Sequence, residues 1–289
     1  MRAARARGRG FSLVELLVVI GIVVILFSIF VPYVAKVREA ENRARCAENL
    51  RQILGGLQLY AHVNHNLYPS VTYDPAHNPN GYTAFTGANS PDPFAPDTQV
   101  RPNDVTASLW LLVRAGAAQP AAFICPSSGD TPDVSNPAVW KQRSNFTGGQ
   151  HLSYSYATPF SAAPAYVLND YLPADFALMA DKNPGISHGG SDVTVPAYND
   201  PPLQIAQANS NNHGRAGQNV LYADGHVAFQ MTPYCGFGNG MLRDNIYTAL
   251  RRTPLKKGET PPGEGNGVVG RDVGPAWDKD SYLVPTEQD

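Results

Sequence analysis

Charge is scarce in this chain. Asp, Glu, Lys and Arg make up 16% of the 289 residues, a low share for a soluble cytoplasmic protein. No basic stripe follows residue 10, so no surface for nucleic acid is expected. Arg251, Arg252, Lys256 and Lys257 make only a small local cluster. Cysteine is scarce as well. Cys46, Cys125 and Cys235 form no C-x-x-C, which excludes a zinc knuckle or a thioredoxin-like motif. The motifs of hydrolases and nucleotide-binding enzymes are missing too: no G-x-S-x-G, no H-E-x-x-H and no P-loop. No enzyme activity and no cofactor are expected. Ser153, Ser155 and the scattered histidines do not add up to a catalytic set.

Turn formers and apolar residues are plentiful. Gly (26) and Pro (25) together exceed a sixth of the chain, while 43% of residues are hydrophobic. That balance predicts a real core in a β-rich domain with long connections rather than a helical bundle.

Residues 1–10, MRAARARGRG, hold four Arg and no acid. Removing them takes the basic count from 22 to 18 against 24 acidic residues, a net charge of -6. Residues 11–31 follow as an apolar run with a single charge, Glu15. At about 1.5 Å per residue such a run spans roughly 30 Å, the hydrocarbon thickness of a bilayer. The Arg cluster should stay cytoplasmic, with the chain beyond residue 32 outside.

Three readings compete for this segment. A cleaved secretory signal needs a shorter apolar region and a small-residue cutting site, and Ile29-Phe30-Val31-Pro32 is a poor one. A plain signal anchor fits the hydropathy but leaves Glu15 unexplained. A carboxylate in a spanning helix costs about 2.5–3.5 kcal/mol on insertion scales, so it calls for a function.

The third reading supplies one. Gly10, then Phe11, then Glu15 at the fifth position after the glycine, with Pro32 further on, resembles the type IV pilin and type II secretion pseudopilin family. The resemblance implies cutting after Gly10 by a prepilin peptidase and N-methylation of Phe11. The helix then stays attached and anchors the chain in a bacterial inner membrane, with the outer domain periplasmic or in a filament. Membrane lipid, other pilin or pseudopilin subunits and the secretion or pilus machinery are the implied partners, and no nucleic acid. The physics agrees. Cutting creates a positive amino group at Phe11 in apolar surroundings, and Glu15 of a neighbouring subunit can pair with it. Two buried charges are each costly alone and tolerable together.

The helical pattern continues over 32–64. Pro32 should kink the helix or loosen one turn. Beyond it, apolar residues recur at helical spacing through Leu50, Leu54, Leu57 and Ala61, with Ile53 and Tyr60 beside them. One helix of about fifty residues is therefore expected, its outer half a rib of the domain core. Gly55-Gly56 is its weak point, and Asn64 with Pro69 marks its end. Cys46-Ala-Glu-Asn49-Leu50 through Tyr68-Pro69 resembles the prepilin-type proteins called the H-X9-DG class. Coiled coil is the structural alternative.

The expected fold is α+β and pilin-like: a long N-terminal helix packed on an antiparallel β-sheet with long irregular loops. Residues 65–250 form the outer domain and 251–289 a flexible tail. Residues 62–105 read as irregular loop, Thr106–Ala118 as an amphipathic helix, and Ala121–Cys125 as a short strand. Cys125-Pro126-Ser127 resembles the C-P-S of the same class. Cys46 and Cys125 form a disulfide or remain two buried thiols. Leu152–Ala157 and Phe176–Ala180 are strands, the latter ending in a turn at Asp181 to Gly185. Asn219–Ala223 and His226–Phe229 flank Asp224-Gly225, which predicts a hairpin with a type I′ turn. The class's H-X9-DG element matches His213, Asp224 and Gly225 with one departure: ten residues, not nine, separate His213 from Asp224.

Two candidate sites remain. His213, Asp224 and His226 are a candidate metal or catalytic set; the plainer view gives Asp224 and Gly225 to the turn, His226 to a strand start and His213 to a loop. Asp181, Asn183 and Asp224 are candidate Ca²⁺ ligands, as hard oxygen donors. At the level of function, a structural filament subunit stands against a membrane-tethered binding or sensing module that never polymerises and uses loops 62–105 and 185–212. An anchored hydrolase has no supporting motif.

Overall fold

The computed structural model describes residues 12–76, 81–84, 86–87, 90–133, 136–185, 193–239, 242–250, 256–257, 267–269 and 273–284. Two compact units divide the chain, Met1–Glu41 and Asn42–Asp289. In the first unit the described residues are Ser12 and the part of helix α1 (Leu13–Val63) up to Glu41, and every residue from Ser12 to Tyr33 is exposed.

Helix α1 runs over Leu13–Val63, 51 residues, and continues through Pro32. Proline has no N–H, so the Ser28 carbonyl lacks its helical donor there. Within the second unit α1 buries Cys46, Leu50, Ile53, Leu54, Gly56, Leu57 and Ala61. These recur every three or four residues, the spacing of one helix face. His65 (φ 57) and Asn66 (φ 64) turn the chain out of the helix. The Asn66 N–H returns to the Ala61 carbonyl at 2.8 Å, satisfying one of the last-turn acceptors.

The face of α1 covers a four-stranded antiparallel sheet of order β1-β2-β3-β4. Its strands are β1 (Tyr154–Tyr156), β2 (Ala177–Asp181), β3 (Gln218–Tyr222) and β4 (Val227–Gln230). β1, β2 and β3 are buried throughout, while β4 is half-buried. The Tyr154 hydroxyl donates to the Cys46 carbonyl of α1 at 3.5 Å, and the Arg43 guanidinium lies 4.1 Å from the Phe229 ring centre. A separate ribbon pairs β5 (Tyr234–Asn239) with β6 (Leu242–Asn245). This is the expected α+β arrangement of a long apolar helix on an antiparallel sheet.

Helix α2 (Val105–Arg114) packs its first nine residues into the core, with Trp110 set edge-on to Phe146 at 5.0 Å. The Asp104 carboxylate caps it by accepting from Ala107 N–H at 3.0 Å. It ends four residues before the expected Ala118 because Gly116 takes a left-handed φ of +71°. Ala121–Cys125 is not a strand. Pro120–Phe123 is a turn of 3₁₀ helix, since Pro120 suits a first helical position. Only the Phe123 carbonyl joins the sheet region, accepting from Ser153 N–H at 2.8 Å.

The hairpin between β3 and β4 also differs from expectation. A type I′ turn needs positive φ at both central residues, and here Gly225 alone has it, at +93°. Tyr222 and His226 bracket a three-residue loop, with Gly225 N–H donating to the Tyr222 carbonyl at 2.9 Å. Asp224 instead uses its carboxylate to accept the His226 N–H at 3.0 Å. The expected flexible tail is corrected in part. Tyr282, Leu283 and Val284 are buried, and Leu283 bridges Ala157 at the end of β1. An apolar run adds to an open sheet edge, a long-range pairing that local pattern does not reveal. Residues 251–255, 258–266, 270–272 and 285–289 of that tail lie outside the described residues.

Candidate functional site

Gly10 and Phe11 lie outside the described residues. Glu15 occupies the first turn of α1. Its Oε2 accepts the Ser12 N–H at 2.9 Å, while Ser12 Oγ accepts the Val14 N–H at 3.3 Å. Ser12 and Glu15, spaced S-x-x-E, thus cap the start of the helix reciprocally, with the Ser12 hydroxyl taking the second helical N–H rather than the third of a full capping box. The spacing is visible in the sequence, where Glu15 reads as a processing and assembly residue and not as a cap. Pro32 lies seventeen residues further along the same helix.

The second constellation is in the core. Cys46 on α1 and Cys125, just beyond the 3₁₀ turn, are joined in a disulfide with their Cα atoms 5.1 Å apart. Beside it sits His213, whose Nε2 is 3.6 Å from Cys125 Sγ, 3.2 Å from Asp181 Oδ2 and 3.2 Å from Asn219 Nδ2. The side chains of His213 and Asp181 are both fully buried. Local structure fixes each of them. Asn211–His213 is a 3₁₀ turn capped by Ser210 and closed by Gly214 at φ +61°, and Asp181 is the last residue of β2.

A buried carboxylate needs partners, and Asp181 has them. Oδ2 accepts the Asn219 N–H at 2.6 Å, and Oδ1 accepts Asn212 Nδ2 at 3.1 Å. Asn212 Nδ2 also donates to the Ser153 carbonyl at 2.7 Å, tying the His213 turn to the start of β1. The His213 ring meets Phe229 edge-on at 5.7 Å. Asp181, expected as the first residue of a turn, is therefore a buried strand end.

His213, Asp224 and His226 are not one site. His213 stands before the start of β3 and Asp224 past its end. Five strand residues at about 3.3 Å each separate them. Asp224 pairs instead with its neighbour: His226 Nδ1 lies 2.6 Å from Asp224 Oδ1, both side chains partly exposed, and the imidazole stacks on Tyr222 at 4.3 Å. The candidate Ca²⁺ ligands are likewise dispersed. Asp181 serves His213, Asp224 serves the hairpin, and Asn183 Nδ2 donates to the Leu283 carbonyl at 2.8 Å and the Tyr247 carbonyl at 3.2 Å. Their side chains are occupied in holding three different parts of the fold.

Sequence reasoning named Asn49 only inside a motif. Its Nδ2 donates to the Ile124 carbonyl at 2.7 Å, next to the disulfide. A second missed pair is Asp244 and Asp280. Burial pushes the Asp244 carboxyl well above the ordinary carboxylate range, helped by the charge of Asp280, and burial raises Asp280 as well. Cys235 is a buried thiol with its pKa pushed up to about 12 by burial, which makes it inert.

The prokaryotic N-terminal methylation motif matches residues 5–31. That stretch takes in residues 5–10 of the basic segment, Phe11, Glu15 and the apolar start of α1, so the chain carries the amino terminus of a type IV pilin-like, prepilin-type protein. The motif implies processing by a prepilin peptidase and assembly with other pilins. With an apolar helix long enough to cross a membrane, it supports membrane anchoring. No curated protein and no solved structure matches the chain.

Proposed function

We propose that this protein is a structural subunit of a type IV pilus or type II secretion pseudopilus, cleaved after Gly10 and N-methylated at Phe11. The observation that carries the reading is Glu15, the one charge on the exposed apolar stretch from Ser12 to Tyr33, within the matched motif. An exposed apolar rod of this length is stable in lipid or against other apolar helices, not in water. In the bilayer the subunit is anchored with its first residues cytoplasmic and its sheet domain periplasmic. In the filament the apolar segments pack side by side, and Glu15 meets the amino group of a neighbour's Phe11. The outer domain belongs on this reading to the H-X9-DG class, which its Cys46–Tyr68 and His213–Gly225 segments resemble.

Glu15 also caps its own helix, so two roles must be separated. Glu15→Gln keeps an acceptor for the Ser12 N–H and loses the charge. Glu15→Val loses both. If charge pairing drives assembly, both variants are cleaved normally and neither forms filaments. Filaments of Glu15→Gln in wild-type amount would leave capping as the whole role. Absence of filaments from the unaltered protein with its machinery present would favour a tethered, non-polymerising module instead.

A further inference from the structure

We propose that Cys46, Cys125, Asp181 and His213 form a Zn²⁺ site in the dithiol state of the chain. The ligand atoms of these four residues all lie within 4.8 Å of one another and all four are buried. Two sulfurs, one imidazole nitrogen and one carboxylate oxygen are a donor set that suits tetrahedral zinc. Bond lengths of 2.0–2.3 Å place tetrahedral ligand atoms about 3.3–3.8 Å apart. His213 Nε2 already lies 3.6 Å from Cys125 Sγ and 3.2 Å from Asp181 Oδ2. The two sulfurs must separate, which breaking their bond permits, and the other ligand atoms, all within 4.8 Å of one another, draw in to that spacing.

The surroundings fit a structural rather than a catalytic centre. The four ligands come from α1, the segment after Pro120–Phe123, β2 and the Asn211–His213 turn, and all are closed to solvent, as structural zinc sites are. Asn219 and Asn212 already hold the Asp181 carboxylate, the kind of outer support that orients metal ligands. Disulfide and metal are thus alternative staples for the same junction between α1 and the sheet. The chemistry balances. A dithiol donor gives two electrons and two protons to the Cys46–Cys125 bond and itself becomes a disulfide. Zn²⁺ then takes both sulfurs as thiolates and releases both protons, while His213 ligates through Nε2 with its remaining proton on Nδ1.

This inference stands apart from the filament reading, and its test does not touch assembly. The full-length chain in detergent micelles is compared oxidised and after reduction, using Co²⁺ alone as the probe. The reduced chain should take up one Co²⁺ with the intense visible bands of a tetrahedral thiolate complex, Zn²⁺ should displace it, and the oxidised chain should take up none. Asp181→Asn and His213→Gln should each weaken Co²⁺ binding by at least about tenfold, with Cys235 retained throughout. X-ray absorption at the zinc edge of the unaltered reduced chain reads the donors without any variant: two sulfurs and two nitrogen or oxygen atoms are expected. Should reduction unfold the domain, added Co²⁺ should refold it. A weak octahedral spectrum, a different donor count, undiminished binding in folded Asp181→Asn and His213→Gln chains, or failure of the metal to restore a reduced, unfolded domain overturns the proposal.

Discussion

Gly56 of α1 lies against the Ala117 carbonyl so closely that a Cβ built there would stand 2.7 Å from its oxygen. Its neighbour Gly55 has nothing within 4 Å of the same position. The pair that looks like a weak point in the helix is therefore two residues with opposite roles. Gly55→Ala should stabilise the domain by about 0.5–1 kcal/mol, through helix propensity. Gly56→Ala should destabilise it by about 1–3 kcal/mol, because the obstacle is backbone and must shift. Denaturant unfolding of both variants checks this, and equal effects would contradict it.

The Cys46–Cys125 bond closes a loop of 79 residues. Loop-entropy reasoning gives about 4 kcal/mol for a cross-link of that span. Under oxidising conditions Cys46→Ala with Cys125→Ala should lower unfolding stability by an amount of that order. A loss below about 1 kcal/mol would mean that the unfolded chain without the cross-link is already compact and that loop entropy does not describe this bond.

Acid should stabilise the outer domain. Burial raises the Asp104 carboxyl to about 7, despite hydrogen bonds from Ala107, Thr106 and Asn145 that oppose the shift, and burial raises Asp280 and Asp244 too. An unfolded Asp releases its proton near pH 4, so from there to about pH 7 the folded state holds more protons and stability falls as pH rises. The contribution is full below about pH 4 and is gone above the folded values. Urea midpoints should decline over this window, and Asp104→Asn should flatten the decline. A rising midpoint in the parent would contradict the assignment.

Much of this was legible in the sequence, and the reasons are physical. α1 announces itself by long-range periodicity, from Leu50 to Ala61, and by its apolar run. The strands at Tyr154, Ala177, Gln218 and Val227 follow alternation and turn residues. The errors fall where geometry is decided by partners distant in the chain. Asp181 looks like a turn residue and is a buried strand end because His213, Asn212 and Asn219 converge on it. Leu283 looks like tail and is sheet because β1 offers it an edge at Ala157. His213 and Asp224 look like partners at motif distance, but β3 runs between them and holds them at opposite ends. The Gly116 stop and the reciprocal Ser12–Glu15 cap were local signals, and a closer reading of the sequence would have found both.

On the proposed function a short basic leader is removed, which exposes a charged amino group at the head of an apolar helix. Intact mass and N-terminal sequencing of the protein purified from its native membrane test it directly. The expected result is a chain that begins at Phe11 and is heavier than the unmodified sequence by the single CH₂ that N-methylation adds. A chain that keeps Met1, or that begins anywhere else, contradicts it.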